Sequence, residues 1–234
     1  MFHLIGLGLG ARSFSIETKE IISKSDKIYI ENYTVEFPYD LEGLEKKFGK
    51  AMILADRNIV ESLKVLEDAD KKDVVLLVYG SPLTATTHIT LLQEAKKRGI
   101  DYKVIFNASI FDAVAETGLQ LYKFGKIASM PGFEADSYID VIKENLGINA
   151  HTLILVDIGM KFNEALEKLK KDSKRKGLSL GKIVICSRLG TKNSKILWDD
   201  VERLKNEKID TPFCLIIPGG LHFVEEEFLN RINS

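Results

Sequence analysis

Ser81, Thr84, Thr86 and Thr87 fall within one short stretch, Tyr79-Gly-Ser-Pro-Leu-Thr-Ala-Thr-Thr-His88. Their hydroxyls and the surrounding backbone N–H groups can hydrogen-bond a ligand but bring no net charge. Such a lining suits a polar, weakly charged small molecule better than a triphosphate. The same residues also fit a capped strand-to-helix turn, since Thr before a helix is an ordinary N-cap. A second candidate is the glycine run Gly6-Leu-Gly8-Leu-Gly10-Ala11. Gly6-x-Gly8-x-x-Ala11 fits the dinucleotide fingerprint, and Glu31 falls where a ribose-binding carboxylate would sit. That chemistry needs a helix opening at the second glycine, with its N–H groups facing the pyrophosphate. Here Ala11-Arg-Ser-Phe-Ser-Ile16 intervenes, and Ser15 is the expected N-cap with Glu17 in the first turn. The helix starts late and ends near Ser25-Asp26. The glycines therefore read as a place where another chain segment or a ligand approaches the backbone closely.

The remaining polar candidates form no catalytic pair. His3, His88, His151 and His222 are scattered, and Cys-x-x-Cys, His-x-x-x-His and Walker A patterns do not occur. Asp157 closes an apolar run and could orient a base, although a strand-end Asp commonly caps a turn. Asn107 and Ser109 precede an expected helix over Phe111–Leu121 and can cap it or contact a ligand. Ile217-Pro-Gly-Gly-Leu-His222 marks an abrupt turn. Glu225 to Glu227 read as first-turn carboxylates answering a helix dipole.

Alternating strands and helices, which run the whole length, must position these residues. Strands are expected at His3–Leu7, Lys27–Ile30, Asp73–Val78, Tyr102–Phe106, Thr152–Val156, Lys182–Cys186 and Phe213–Ile217. Helices are expected at Leu91–Arg98, Ile59–Asp68, Ser137–Asn145, Asn163–Lys174 and Asp199–Asn206, where apolar residues recur at helical spacing. The alternation predicts an α/β fold with parallel or mixed sheets. A Gly- and Pro-containing shift around Gly125–Asp136 suggests two domains, 1–115 and 116–234. The 234 residues carry a formal net charge of −1 with both signs interspersed, which argues against a nucleic-acid footprint. No run approaches a membrane span and no leader pattern is visible, so a cytoplasmic location is expected. Cys186 and Cys214 lie in apolar runs and are expected to be buried free thiols.

Taken in order, the segments carry a resemblance. Gly6-Leu-Gly-Leu-Gly10, Gly80-x-Pro-Leu-x-Ala-Thr-Thr-His88, Asn107-Ala-Ser-Ile110, Gly118-Leu-Gln-x-Tyr-x-Phe-Gly125, Tyr138-x-x-Val-Ile-Lys-Glu-Asn145, His151-Thr-Leu-x-Leu-x-Asp-Ile158 and Pro218-Gly-x-Leu-His222 together resemble the diphthine synthases. These form a family within the tetrapyrrole-methylase-like superfamily of S-adenosylmethionine-dependent methyltransferases. The resemblance covers nearly the whole chain. Leu9 and Ala11 stand where tetrapyrrole-modifying relatives carry Pro and Asp.

The resemblance implies two α/β domains with the methyl donor in the cleft between them, usually in a homodimer. It implies donor contacts at Leu9, Ser81, Thr84, Ser109, Ile110, Val156, Leu189 and His222. Ser81 departs from the family, which usually has Asp there; a hydroxyl replaces a carboxylate that could pair with the donor's amino group. The implied substrate is elongation factor 2 bearing a 3-amino-3-carboxypropyl-histidine, whose amine is trimethylated to diphthine. Arg188 or Lys161 could hold the substrate carboxylate. A tetrapyrrole or other small-molecule methyltransferase, or a dinucleotide-binding module, remains as an alternative.

Overall fold

Val74-Val-Leu-Leu-Val78 is apolar at every position and buried at every position, as befits a strand covered on both faces. It is strand β4 at the centre of the first sheet. The computed structural model describes residues 1–232. The chain divides into two units, Met1–Ile110 and the part from Phe111 onward, so the division precedes the junction expected near residue 115.

The first unit comprises β1 (Phe2–Gly6), α1 (Ile16–Lys24), β2 (Lys27–Glu31), α2 (Leu41–Phe48), β3 (Ile53–Ala55), α3 (Arg57–Glu61), β4, α4 (Ile89–Lys97) and β5 (Tyr102–Ile105). All five strands are parallel, in the order β3-β2-β4-β1-β5. The period of two along each strand divides the apolar residues between two cores. Phe2, Leu4, Leu76 and Val78 pack with Val60, Leu91 and Ala95 on one face. Ile5, Leu7, Val75 and Leu77 pack with Ile22 and Leu44 on the other. From β1 the chain crosses to β2 on one side, and from β4 it crosses to β5 on the opposite side. The adjacent carboxyl ends of β1 and β4 are therefore a topological switch point, where open α/β sheets bind ligands.

The second unit contains α5 (Ile110–Ala113, its first residue closing the first unit), β6 (Ala128–Met130), α6 (Ser137–Gly147), β7 (Thr152–Val156), α7 (Phe162–Arg175), β8 (Lys182–Ser187), β9 (Lys195–Asp200), α8 (Val201–Leu204), β10 (Phe213–Ile217) and α9 (Phe223–Ile232). Its sheet is mixed, in the order β6-β7-β10-β8-β9, with β10 antiparallel to both neighbours. Tyr138, Ile139 and Ile142 of α6 and Ala165, Leu166 and Leu169 of α7 cover it with Ile154, Ile185 and Leu215.

Several expected elements differ. The helix expected over Ile59–Asp68 breaks after Glu61, because Leu63 turns left-handed (φ 65°), and resumes as a short 3-10 turn. The helix expected over Phe111–Leu121 ends early, since Gly118 is left-handed (φ 77°) with its Cα against the Phe228 ring. The helix expected from Asp199 begins at Val201, as Asp199 and Asp200 pair with Ile183 and Lys182 in a strand. Three strands were not expected, and each lies at a sheet edge: β3 and β6 span only three residues each, and β9 is mostly half-exposed. Cys186 and Cys214 are buried free thiols directly opposed on β8 and β10.

Candidate functional site

The site at the switch point starts from close backbone contact. Gly8 N–H donates to Gly80 O at 2.9 Å, and Gly80 N–H donates to Gly8 O at 3.1 Å, tying the two loops together. An ideal Cβ on Gly6 would lie 2.5 Å from Gly80 O and 2.6 Å from Pro82 Cδ, so only glycine fits there. The glycines thus serve chain-to-chain approach. Helix α1 opens only at Ile16, capped by Ser15, whose Oγ accepts from Thr18 N–H at 3.0 Å. Asn107 does not cap a helix. Its amide donates to Gly6 O at 3.2 Å and Ser13 O at 3.0 Å, closing the end of β5 over the glycine turn.

Around Gly80 (φ 72°) stand Leu9, Ala108 and Ser109. A Cβ built there would meet Ala108 O and Ser109 Cα at 3.8 Å and Leu9 Cδ2 at 4.0 Å. The structure therefore brings Leu9, Ser109 and the Gly80–Thr84 segment to one edge, with Ile110 following. Leu9 and Ser109 are buried, and Ser81, Thr84 and Ile110 are half-buried. Backbone and hydroxyl groups thus meet at this edge beside the buried Leu9 side chain.

Glu31 takes no part in a ribose site. Its side chain is 2 % exposed and His88 is 1 % exposed, with His88 Nε2 3.4 Å from Glu31 Oε2. Glu31 Oε1 accepts from Thr34 N–H at 2.7 Å and Tyr33 N–H at 3.3 Å. Burial pulls the His88 pKa below the usual imidazole value, and the Glu31 carboxylate opposes that pull. Phe37 meets Tyr39 and Tyr79 edge-on, with ring centroids 5.4 and 5.5 Å away.

In the second unit, the register sets Val156 and Leu189 at one edge of the sheet, where β7 and β8 end against the start of β10. His222 follows the far end of β10, on the edge where β7 begins. There Glu225, read from sequence as a first-turn carboxylate, is fully buried. Its Oε1 accepts from Gln120 N–H at 2.9 Å and pairs with His151 Nε2 at 3.1 Å. Its Oε2 accepts from Lys123 Nζ and His222 N–H, both at 2.7 Å. Burial would push this carboxyl up, but Lys123, the two backbone N–H groups and His151 together hold it down at about 2. Gly219 N–H donates to His151 Nδ1 at 3.0 Å, so that nitrogen presents its lone pair and Nε2 carries the proton toward Glu225. Burial lowers the His151 pKa, with Glu225 opposing. The network fixes the Pro218–His222 turn, and sequence reading missed it because a buried and an exposed helix-start Glu look alike. The Gln120, His151 and His222 segments, which carry part of the family resemblance, were its only signal.

The other polar candidates are committed elsewhere. Asp157 caps its own turn, accepting from Gly132 N–H at 2.9 Å and Ile158 N–H at 3.0 Å. Arg188 donates to Thr211 O at 2.7 Å and pairs with Asp210 at 3.1 Å, whereas Lys161 is exposed at the start of α7. Asn145 bonds both Lys126 and Thr152 where a Cβ on Gly125 would fall 2.2 Å from Asn145 Oδ1, so these two motif residues are structural. Among the described residues no group of His, Cys, Asp and Glu could hold a metal ion.

A doubly wound parallel sheet with glycine loops meeting at its switch point, joined to a mixed five-stranded sheet, is the architecture of a methylase family. Residues 1–205 match the tetrapyrrole (corrin/porphyrin) methylases, and the chain belongs to that family. Within it, the chain is 39% identical to a diphthine synthase of Methanocaldococcus jannaschii, covering 99% of this chain and 98% of that one. It is 35% identical to an Arabidopsis thaliana protein named "Probable diphthine methyl ester synthase", over 98% of this chain and 97% of that one. A crystal structure of diphthine synthase superposes with a TM-score of 0.92 at 32% identity, covering 99% and 96% of the two chains.

Proposed function

We propose that the protein is a diphthine synthase. It transfers methyl groups from S-adenosylmethionine to the amine of the 3-amino-3-carboxypropyl-histidine of elongation factor 2, and trimethylation gives diphthine. The full-length similarity to diphthine synthases carries this reading. The uncharged site supports it, because methyl transfer to an amine needs no acid–base pair. The donor supplies a methyl group already activated on a sulfonium. The work left to the chain is alignment, holding the reacting atoms ~3–3.5 Å apart and in line.

In this reading Leu9 and Ile110 form the apolar bed, while Ser81, Thr84 and Ser109 offer hydrogen bonds to the donor's polar groups. The resemblance also assigns Val156 and Leu189, at one end of the second unit's sheet, and His222, beyond its other end. The same resemblance supports a homodimer. None of the described helices is long and apolar enough to cross a membrane.

The test is incubation with the donor and elongation factor 2 carrying the aminocarboxypropyl-histidine. Up to three methyl groups should appear on that residue in the mass spectrum, and unmodified elongation factor should gain none. The rate should rise with pH through titration of the amine, since only its neutral form has a lone pair. The Arabidopsis relative's name favours one variant, methylation of the carboxylate as well. A further methyl group lost on mild alkaline treatment would establish it. Equal methylation of both elongation factors, or of a tetrapyrrole alone, would overturn the substrate assignment.

A further inference from the structure

The Gly80–Thr87 loop leaves β4 in a backbone that its residues do not favour. Leu83 (φ 69°) and Ala85 (φ 54°) both lie in the left-handed region, which an L side chain with a Cβ disfavours. Such conformations persist only where the surroundings hold them. Bonds within the loop are too long to hold it alone. Thr84 N–H reaches Ser81 O at 3.4 Å, and His88 N–H reaches Thr86 Oγ1 at 3.5 Å. The loop's entrance is held by the paired Gly8–Gly80 hydrogen bonds.

Its exit is held differently. His88, the first residue after the loop, turns its ring into the core toward Glu31 at the end of β2. Neither His88 nitrogen nor Glu31 Oε2 makes a hydrogen bond among the described residues, and the 3.4 Å approach of the two side chains is a charge–dipole contact. A polar pair with almost no exposure is costly to bury, and an apolar pair would fill the space more cheaply. Glu31 Oε1 meanwhile closes the Tyr33–Thr34 turn. One carboxylate thus joins the turn after β2 to the exit of the loop bearing Ser81 and Thr84.

We propose that His88 and Glu31 are positioning residues, a buried clamp that keeps the left-handed Gly80–Thr87 loop in its donor-binding shape. The proposal rests on the donor site of the preceding subsection. Neither residue touches the reacting atoms; each acts through the loop backbone. Releasing the exit lets Leu83 and Ala85 relax to ordinary conformations, and donor affinity falls in proportion to the loss of the competent loop.

The experiment is calorimetric titration of the intact protein with S-adenosylhomocysteine. His88→Leu should weaken binding by about tenfold or more, with the thermal melt remaining cooperative. His88→Gln, which keeps an N–H donor, should recover most of the affinity. Ala85→Gly added to His88→Leu should recover part of it, because glycine takes positive φ without the steric cost. That second-site rescue separates a loop clamp from a general packing defect, which glycine would not repair. Where leucine is not tolerated, the near-isosteric Glu31→Gln repeats the test and should also weaken binding. Parent-like affinity in His88→Leu or Glu31→Gln, or loss without rescue by Ala85→Gly, overturns the clamp. Failure of the parent protein itself to bind S-adenosylhomocysteine overturns the donor site instead.

Discussion

Glu225→Gln tests the buried network of the second unit most directly. In the folded chain Glu225 is held at about 2, against an ordinary value of 4.5. At about 1.4 kcal/mol per pH unit between the two values, the ionised form contributes about 3 kcal/mol to stability near pH 7. The sign follows from the depressed value. The contribution is complete above pH 4.5 and is lost as the pH falls from there toward 2, when the folded state must also take up the proton. Gln keeps the shape but loses the charge that Lys123, His151 and two backbone N–H groups were arranged to meet. It should lower stability by about 3 kcal/mol at pH 7, within the range for breaking a buried pair. Trp198, the only tryptophan, lies on β9 in the same unit and gives an intrinsic fluorescence signal for its unfolding. Urea titrations at pH 7, 5, 4 and 3 should show the parent losing its advantage over Glu225→Gln as the pH falls. A gap between the two proteins that stays constant from pH 7 to 3 would refute the reasoning.

Three further outcomes are expected. Gly6→Ala should cost about 1–3 kcal/mol through overpacking against Gly80 and Pro82, and should abolish donor binding, read by thermal melt and titration together. Ser81→Asp should leave donor binding unchanged or tighten it, since a carboxylate can pair with the donor's amino group; a marked weakening in the same titration would count against Ser81 as a contact. Cys186 and Cys214 should resist a thiol reagent until the protein is denatured, because the Cys186 thiol is pushed up by its hydrogen bond with the Cys214 thiol and by burial; rapid labelling of the native protein would contradict their burial.

The apolar runs of β1, β4, β7, β8 and β10 were legible in the sequence because a buried strand needs continuous apolar side chains. Ser15 as a cap was legible too, since capping depends on residues only a few positions apart. The order of the glycine, hydroxyl and Pro-Gly-Gly segments was enough to carry the family resemblance, as each motif is local. Pairing across long separations was not legible. Glu31 and His88, Asn107 and Gly6, and Glu225 and His151 meet only after the sheets have formed. A carboxylate bears the same letter whether solvent or an imidazole faces it, and only tertiary packing sets its solvation and partners. The antiparallel course of β10 likewise sets His222 at the opposite edge of its sheet from Val156 and Leu189. Strand direction is chosen by the packing of the whole unit, and the local pattern of apolar residues is the same for either course.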